Sequence, residues 1–340
     1  MSAHEHMMSV IGHTPIVKLQ RIFKDSPFET YVKLEMLNPG GSTKDRPARA
    51  MILAALEEGR LRPGSVVVES SSGNLAIGLA QICNLVGCRF ICVVDPRTTT
   101  TNLRILRAYG ARIDLVRKPD AATGEFVPAR LRRVRHWLRR LPNAFWPNQY
   151  ANSHNALSHQ QTTMTEIAAD LPRIDYLFCG VSTCGTLRGC VDYIREHGLR
   201  TKVVAVDAEG SAIFGKQLKQ RRLLPGLGAG IRPSLCPTEG IDEQIDISEL
   251  ECIVGCRKLA RIESILAGGS SGGVIAAVHK YRERIPAGSV CVLLLPDRGE
   301  RYLETIYDDA WIAEQYGHSF LARVHAQLEG EGGDEQRCVI

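Results

Sequence analysis

Short, continuously apolar runs alternate with longer helix-like segments along most of this chain. Ser65-Val66-Val67-Val68-Glu69 reads as a strand and residues 73–86 as the helix after it. Residues 89–95 form the next expected strand, 101–109 a helix and 112–116 a third strand. Strands at 175–181, 202–207 and 289–295 follow, each with a helical segment nearby. Strands apolar on both faces belong in parallel sheets with helices packed on either side. The rhythm therefore predicts an α/β fold built from open, mostly parallel sheets. Residues 141–148 break the rhythm and mark the expected domain boundary. Residues 329–340 are rich in glycine and charge, as expected of a disordered tail.

Composition narrows the class. The 340 residues are 44% hydrophobic and 23% charged, as in a globular protein with room for two domains. Much of the net charge of +5 comes from residues 130–140. There Leu131, Val134 and Leu138 share one helical face, so an amphipathic helix with a solvated basic face is expected. No nucleic-acid-binding module accompanies it, and nucleic acid is not an expected partner. Eleven cysteines are scattered through apolar runs with no C-x-x-C pair, which fits free thiols in a reducing compartment. Cys252 and Cys256 lack the further ligands of a zinc site, so no metal is expected. No signal peptide and no apolar stretch of membrane-spanning length is seen, and the expected location is cytoplasmic.

The candidate chemistry begins at Lys44, in the run Asn38-Pro39-Gly40-Gly41-Ser42-Thr43-Lys44-Asp45-Arg46-Pro47. A turn-rich loop hands over to an apolar helix, and the lysine stands at the junction. The positive end of the helix dipole favours the uncharged amine, and a neutral amine is a nucleophile for a carbonyl. By itself Lys44 reads equally as a surface lysine after a turn. Ligands of open α/β sheets collect at the carboxyl ends of strands. Ser70-Ser71-Ser72-Gly73-Asn74 follows the first strand, with small residues whose backbone N–H groups suit a carboxylate. Ser182-Thr183-Cys184-Gly185-Thr186 follows the strand at 175–181. It lacks the spacing of a nucleotide P-loop and suits a single phosphate monoester. Gly268-Gly269-Ser270-Ser271-Gly272-Gly273 follows the strand-like Ile265-Leu266-Ala267, and its glycines would permit close approach to a flat ring. Each loop alone is also an ordinary N-cap or Gly-rich turn.

In their order along one α/β rhythm, the lysine and the three loops resemble the β-family (fold type II) of pyridoxal-phosphate enzymes. Cysteine synthase and cystathionine β-synthase belong to that family, and the resemblance covers residues 10–307. It implies two open, twisted, mostly parallel sheets flanked by helices, as in tryptophan synthase β. It also implies a smaller substrate-binding domain at 45–147 and a larger cofactor-binding domain from 1–44 and 148–320. The implied cofactor is pyridoxal 5′-phosphate and the implied assembly a homodimer. Lys44 would be the catalytic residue that carries the cofactor. Ser182, Thr183, Cys184, Gly185 and Thr186 would hold its phosphate, Ser270 its ring nitrogen and Asn74 its O3′. Ser71, Ser72, Gly73, Asn74 and Gln149 would bind the substrate carboxylate.

Asn38-Pro39-Gly40-Gly41-Ser42, Asn148-Gln149-Tyr150-Ala151-Asn152 and Leu295-Pro296-Asp297-Arg298-Gly299 are similar to a narrower subgroup, the N-(2-amino-2-carboxyethyl)-L-glutamate synthases. That resemblance implies O-phospho-L-serine and L-glutamate as substrates and release of phosphate. It also implies a place in 2,3-diaminopropionate synthesis for siderophores such as staphyloferrin B. Tyr150 and Arg130 would then contact substrate, and Arg130 or Arg46 would face the leaving phosphate. The alternative is a cysteine synthase, in which sulfide replaces glutamate and the first substrate is O-phosphoserine or O-acetylserine. Two positions depart from the family pattern. Cys184 replaces a small residue in the phosphate loop, and Ala76 replaces a glycine, with a methyl that would narrow the substrate pocket.

Overall fold

The computed structural model describes residues 4–122, 124–215 and 222–329. The expected tail lies outside the described residues apart from Glu329. Among the described residues, ten strands form two sheets. They are β1 (Ile16–Lys18), β2 (Glu29–Leu34), β3 (Val66–Ser70), β4 (Arg89–Val94), β5 (Arg112–Leu115), β6 (Ala144–Phe145), β7 (Tyr176–Gly180), β8 (Lys202–Ala208), β9 (Glu243–Ile247) and β10 (Val290–Leu295). The larger sheet runs β1-β2-β10-β7-β8-β9 and the smaller β5-β4-β3-β6. Every pairing is parallel except β1 with β2.

Alternation along the strands explains the layering. In β8, Val204 and Val206 join one buried cluster while Val203 and Ala205 join another on the opposite face. In β7, Tyr176 and Phe178 face the first cluster, and Leu177 and Cys179 the second. The smaller sheet does the same, with Phe90, Cys92 and Val94 on one side of β4 and Ile91 and Val93 on the other. Each fully buried aliphatic or aromatic side chain contributes about 1.5–3 kcal/mol, so two-sided burial commits these strands to the sheet interior.

Helices cover both faces: α1 (Asp45–Glu57), α2 (Asn74–Leu85), α3 (Thr100–Ala108), α4 (Phe126–Arg140), α5 (Ser153–Ser158), α6 (Thr165–Asp170), α7 (Gly185–Glu196), α8 (Glu249–Glu263) and α9 (Gly269–Tyr281). A π-helical turn, His159–Met164, joins α5 to α6. Two further helices, α10 (Asp309–Tyr316) and α11 (His318–Glu329), end the described chain.

Three expectations from the sequence are corrected. Ile265-Leu266-Ala267 is no strand. It links α8 to α9 and makes only an isolated bridge from Ala267 to Arg298. The arginine-rich segment is helical, but Arg130 is buried with Val134 instead of lying on the solvated face. Ala76 is fully buried in the apolar cluster beneath the smaller sheet with Ala48 and Leu79, so its methyl serves packing. The edge strands β1 and β9 and the strand β2 carry no continuous apolar run. Lys33, fully buried, is the penultimate residue of β2.

Candidate active site

The carboxyl ends of β3, β7 and β10 deliver three segments to one place. Thr43, Lys44, Asn74, Ser182 to Thr186 and Ser270 line a single cavity together with Gly226 and Pro296. Lys44 is the N-cap of α1, as its position in the sequence predicts. Burial is the main force that lowers its pKa from the usual lysine value, while Cys179 and Asp297 pull it upward.

The loop after β7 is built from backbone strain and one close approach. Cys184 caps α7 with φ of 63°, a left-handed conformation that costs a non-glycine residue about 1–3 kcal/mol. Its side chain turns into the apolar cluster with Leu187 and Cys190. The first ladder bond of α7 runs from the Arg188 N–H to the Cys184 carbonyl at 2.8 Å. The N–H groups of Gly185, Thr186 and Leu187 therefore lie ahead of the ladder at the positive end of the helix. Behind the loop, the Asn155 Nδ2 donates to the Gln149 carbonyl at 2.7 Å. His159, wholly buried and held neutral by burial with help from the charges of Lys44 and Arg46, meets the Thr186 hydroxyl at 3.2 Å.

Ser270 lies in the first turn of α9. Of this segment Ser270 joins the cavity lining, while Gly268, Gly269, Gly272 and Gly273 lie outside it. A methyl at Gly272 would strike the Cys252 carbonyl and one at Gly255 would strike Gly272. They are small because α8 and α9 pack backbone to backbone. Asn74, the first residue of α2, donates through Nδ2 to the Asp297 carboxylate at 2.7 Å.

Other expected residues lie outside this lining. The Ser71 hydroxyl accepts from the Ala76 N–H at 3.2 Å, and the Ser72 carbonyl accepts from Asn102 at 3.0 Å. Gly73 is the N-cap of α2, with nothing within 4 Å of where a side chain would begin. Gln149 is buried, its N–H 3.4 Å from Glu69. Burial lifts the Glu69 carboxyl to about 7 against the pull of Trp146 and backbone donors. Tyr150 feels the charges of Arg130 and Arg222, and burial raises its phenol above the usual value. Arg130 pairs with Asp95 at 3.4 Å, yet its Nε and Nη1 are buried without a hydrogen-bond partner. Arg46 is engaged by two carboxylates. Its guanidinium bridges Glu35 at 2.7 Å and Glu166 at 2.6 Å, and Glu166 also pairs with Lys33 at 2.8 Å.

The sequence profile of the pyridoxal-phosphate dependent enzymes matches residues 7–297. The chain belongs to this family. It is 48% identical over 307 residues to N-(2-amino-2-carboxyethyl)-L-glutamate synthase of Cupriavidus metallidurans, covering 89% of each chain. The enzyme of the same name from Ralstonia nicotianae is 46% identical over 308 residues, covering 90% of each. Among solved structures, O-ureido-L-serine synthase superposes with a TM-score of 0.83 at 32% identity, covering 92% of this chain and all of that one.

The cavity fits the family's cofactor. A desolvated amine, a helix N-terminus and small hydroxyl residues stand around one space. Among the buried polar atoms without a hydrogen-bond partner, Thr43 Oγ1 belongs to this lining. Buried polar atoms normally have partners, so a polar guest suits this lining.

Asn155 was not legible as a site residue, because only packing places it against Gly185. A methyl on Gly185 would fall on the Asn155 carboxamide. Gly185→Ala is expected to lower stability by about 1–3 kcal/mol through overpacking. It should also weaken pyridoxal phosphate binding, because the Asn155–Gln149 contact must shift. Urea unfolding and cofactor titration would check both.

Proposed function

We propose that this chain joins O-phospho-L-serine to L-glutamate, forming N-(2-amino-2-carboxyethyl)-L-glutamate and releasing phosphate. The observation that carries the reading is the pair of relatives of that name, each matched over nine-tenths of its length or nearly so. Pyridoxal phosphate, when bound, supplies an electron sink beside the substrate α-carbon. Lys44 is assigned as its anchor, Ser182 to Thr186 as the cradle of its phosphate, Ser270 as the partner of its ring nitrogen and Asn74 as the donor to its O3′.

The neutral amine of Lys44 would take the α-proton of phosphoserine and return it at the end of the cycle. Ser71, Ser72, Gly73, Asn74 and Gln149 would hold the substrate carboxylate at the start of α2. Arg130, whose buried Nη1 has no hydrogen-bond partner and whose Nε has only the ion pair with Asp95, would stabilise the negative charge of the departing phosphate or a glutamate carboxylate beside Tyr150. Loss of the α-proton would expel phosphate from Cβ first; the glutamate amine would then add to Cβ, giving up one proton, as Lys44 returns a proton to Cα.

The same reading assigns 45–147 to the substrate domain and 1–44 with 148–320 to the cofactor domain, a division supported by the separation of the two sheets. It carries a homodimer, a cytoplasmic location and a product used for 2,3-diaminopropionate and siderophores such as staphyloferrin B. Buried free cysteines, such as Cys92 and Cys291, fit a reducing compartment.

The deciding experiment incubates cofactor-loaded protein with O-phosphoserine and either glutamate or sulfide. Mass spectrometry is expected to find the glutamate adduct, with one phosphate released per product. Cysteine from sulfide with no glutamate adduct would assign the chain to the cysteine synthases and sink the proposal.

A further inference from the structure

One segment, residues 296–302, touches the lysine loop, the start of α9 and Asn74. The Thr43 N–H donates to the Pro296 carbonyl at 2.8 Å, and the Arg298 N–H to the Gly41 carbonyl at 3.2 Å, so the lysine loop is stapled to it. The Gly268 N–H donates to the Asp297 carbonyl at 3.1 Å, which ties in the start of α9. The third tie is made by side chains. Arg301 Nη1 donates to Asn74 Oδ1, and Nη2 of the same guanidinium to the Gly40 carbonyl. Asn74 Nδ2 donates to Asp297 Oδ2 at 2.7 Å, and the Tyr302 hydroxyl donates to the same oxygen at 2.5 Å.

We propose that Asp297 and Arg301 are positioning residues that fix the polarity of the Asn74 carboxamide, so that only its N–H edge is presented to the cofactor. Turned over, the amide would set its oxygen against the Asp297 carboxylate and its N–H₂ group against the Arg301 guanidinium. Both hydrogen bonds would be lost and both contacts repulsive. In the observed orientation Nδ2 has spent one hydrogen on Asp297 and keeps one to donate. A group that meets Asn74 there must accept a hydrogen bond, as an oxyanion on the cofactor ring does. Asp297 is itself firmly held. It is 1% exposed, and Tyr302 and the Gly268 backbone fix it in place.

The inference rests on the assignment of Asn74 to the cofactor, and a double-mutant design separates the two. Full-length protein stripped of cofactor is titrated with pyridoxal phosphate, following affinity and the visible absorbance maximum of the bound form. Asp297→Ala is expected to weaken affinity about 10- to 100-fold, the scale of a lost charge-assisted hydrogen bond, and to move the absorbance maximum. Arg301→Met, at a partly exposed position that tolerates change better, is expected to act in the same direction and carries the test if Asp297→Ala does not fold. In an Asn74→Ala background the same substitutions should change affinity by less than about twofold and leave the maximum in place. Equal losses with and without Asn74 would overturn the positioning role and leave the cofactor assignment intact. Wild-type affinity and absorbance in Asn74→Ala would overturn the assignment itself, and this inference with it.

Discussion

The Lys44→Ala protein is expected to lose at least about 10³-fold in turnover, the upper range for removal of a general acid–base group, and more if the lysine also anchors the cofactor. After borohydride reduction, wild-type protein should retain pyridoxal phosphate covalently by mass, and the variant should retain none. Folding should survive. The substitution removes a desolvated amine, and relief of that burial cost offsets the packing lost with its methylenes. A melting temperature within a few degrees of wild type, together with absent covalent cofactor, would separate chemistry from collapse. Equal retention of reduced cofactor in both proteins would place the anchor on another amine.

Arg46→Met is expected to do the opposite: large damage to stability, with activity falling only as folded protein is lost. Arg46 and Glu35 are each about 1% exposed, and removal of the guanidinium leaves Glu35 and Glu166 facing each other without their shared counter-charge. Breaking one side of a buried ion pair costs about 3–5 kcal/mol, which urea unfolding would show as a lower midpoint. Arg46→Lys keeps the charge but not the fork that reaches both carboxylates, and an intermediate loss is expected.

The pH dependence follows from Glu166. Burial opposes its ionisation, but hydrogen bonds and charge from Arg46, with Lys33 behind them, outweigh burial and lower its pKa to about 2 from 4.5. A lowered carboxyl pKa gives stability that is full above the unfolded value and is lost as pH falls from 4.5 towards 2. Arg46→Met should flatten that acid limb. An unchanged urea midpoint with lost turnover would instead return Arg46 to the leaving phosphate.

The lysine loop and the three candidate turns were legible because each is local. Ser70 to Asn74, Ser182 to Thr186 and Gly268 to Gly273 are contiguous runs of small residues at the ends of helices, and small residues announce turns and caps wherever they stand. The interior strands were legible for the same reason, since two-sided burial writes itself as an unbroken apolar run. The edge strands were not: β9 is half-buried and polar, and β2 hides Lys33 behind an ion pair with Glu166.

What local pattern does not carry is direction and distant partnership. Periodicity puts Arg130 in a run with a solvated basic face, and only the packing of α4 on the smaller sheet turns this one inward to Asp95. Arg46 looked free to meet a phosphate until Glu166, 120 residues away, occupied it. Asn74 meets Asp297 across 223 residues and Arg301 across 227. Hydrophobic periodicity and turn chemistry act over a few residues and so determined the elements, their order and the lysine at the helix start. The pairing of buried charges and amides depends on which loops the two sheets bring together, and that was decided only by the tertiary structure.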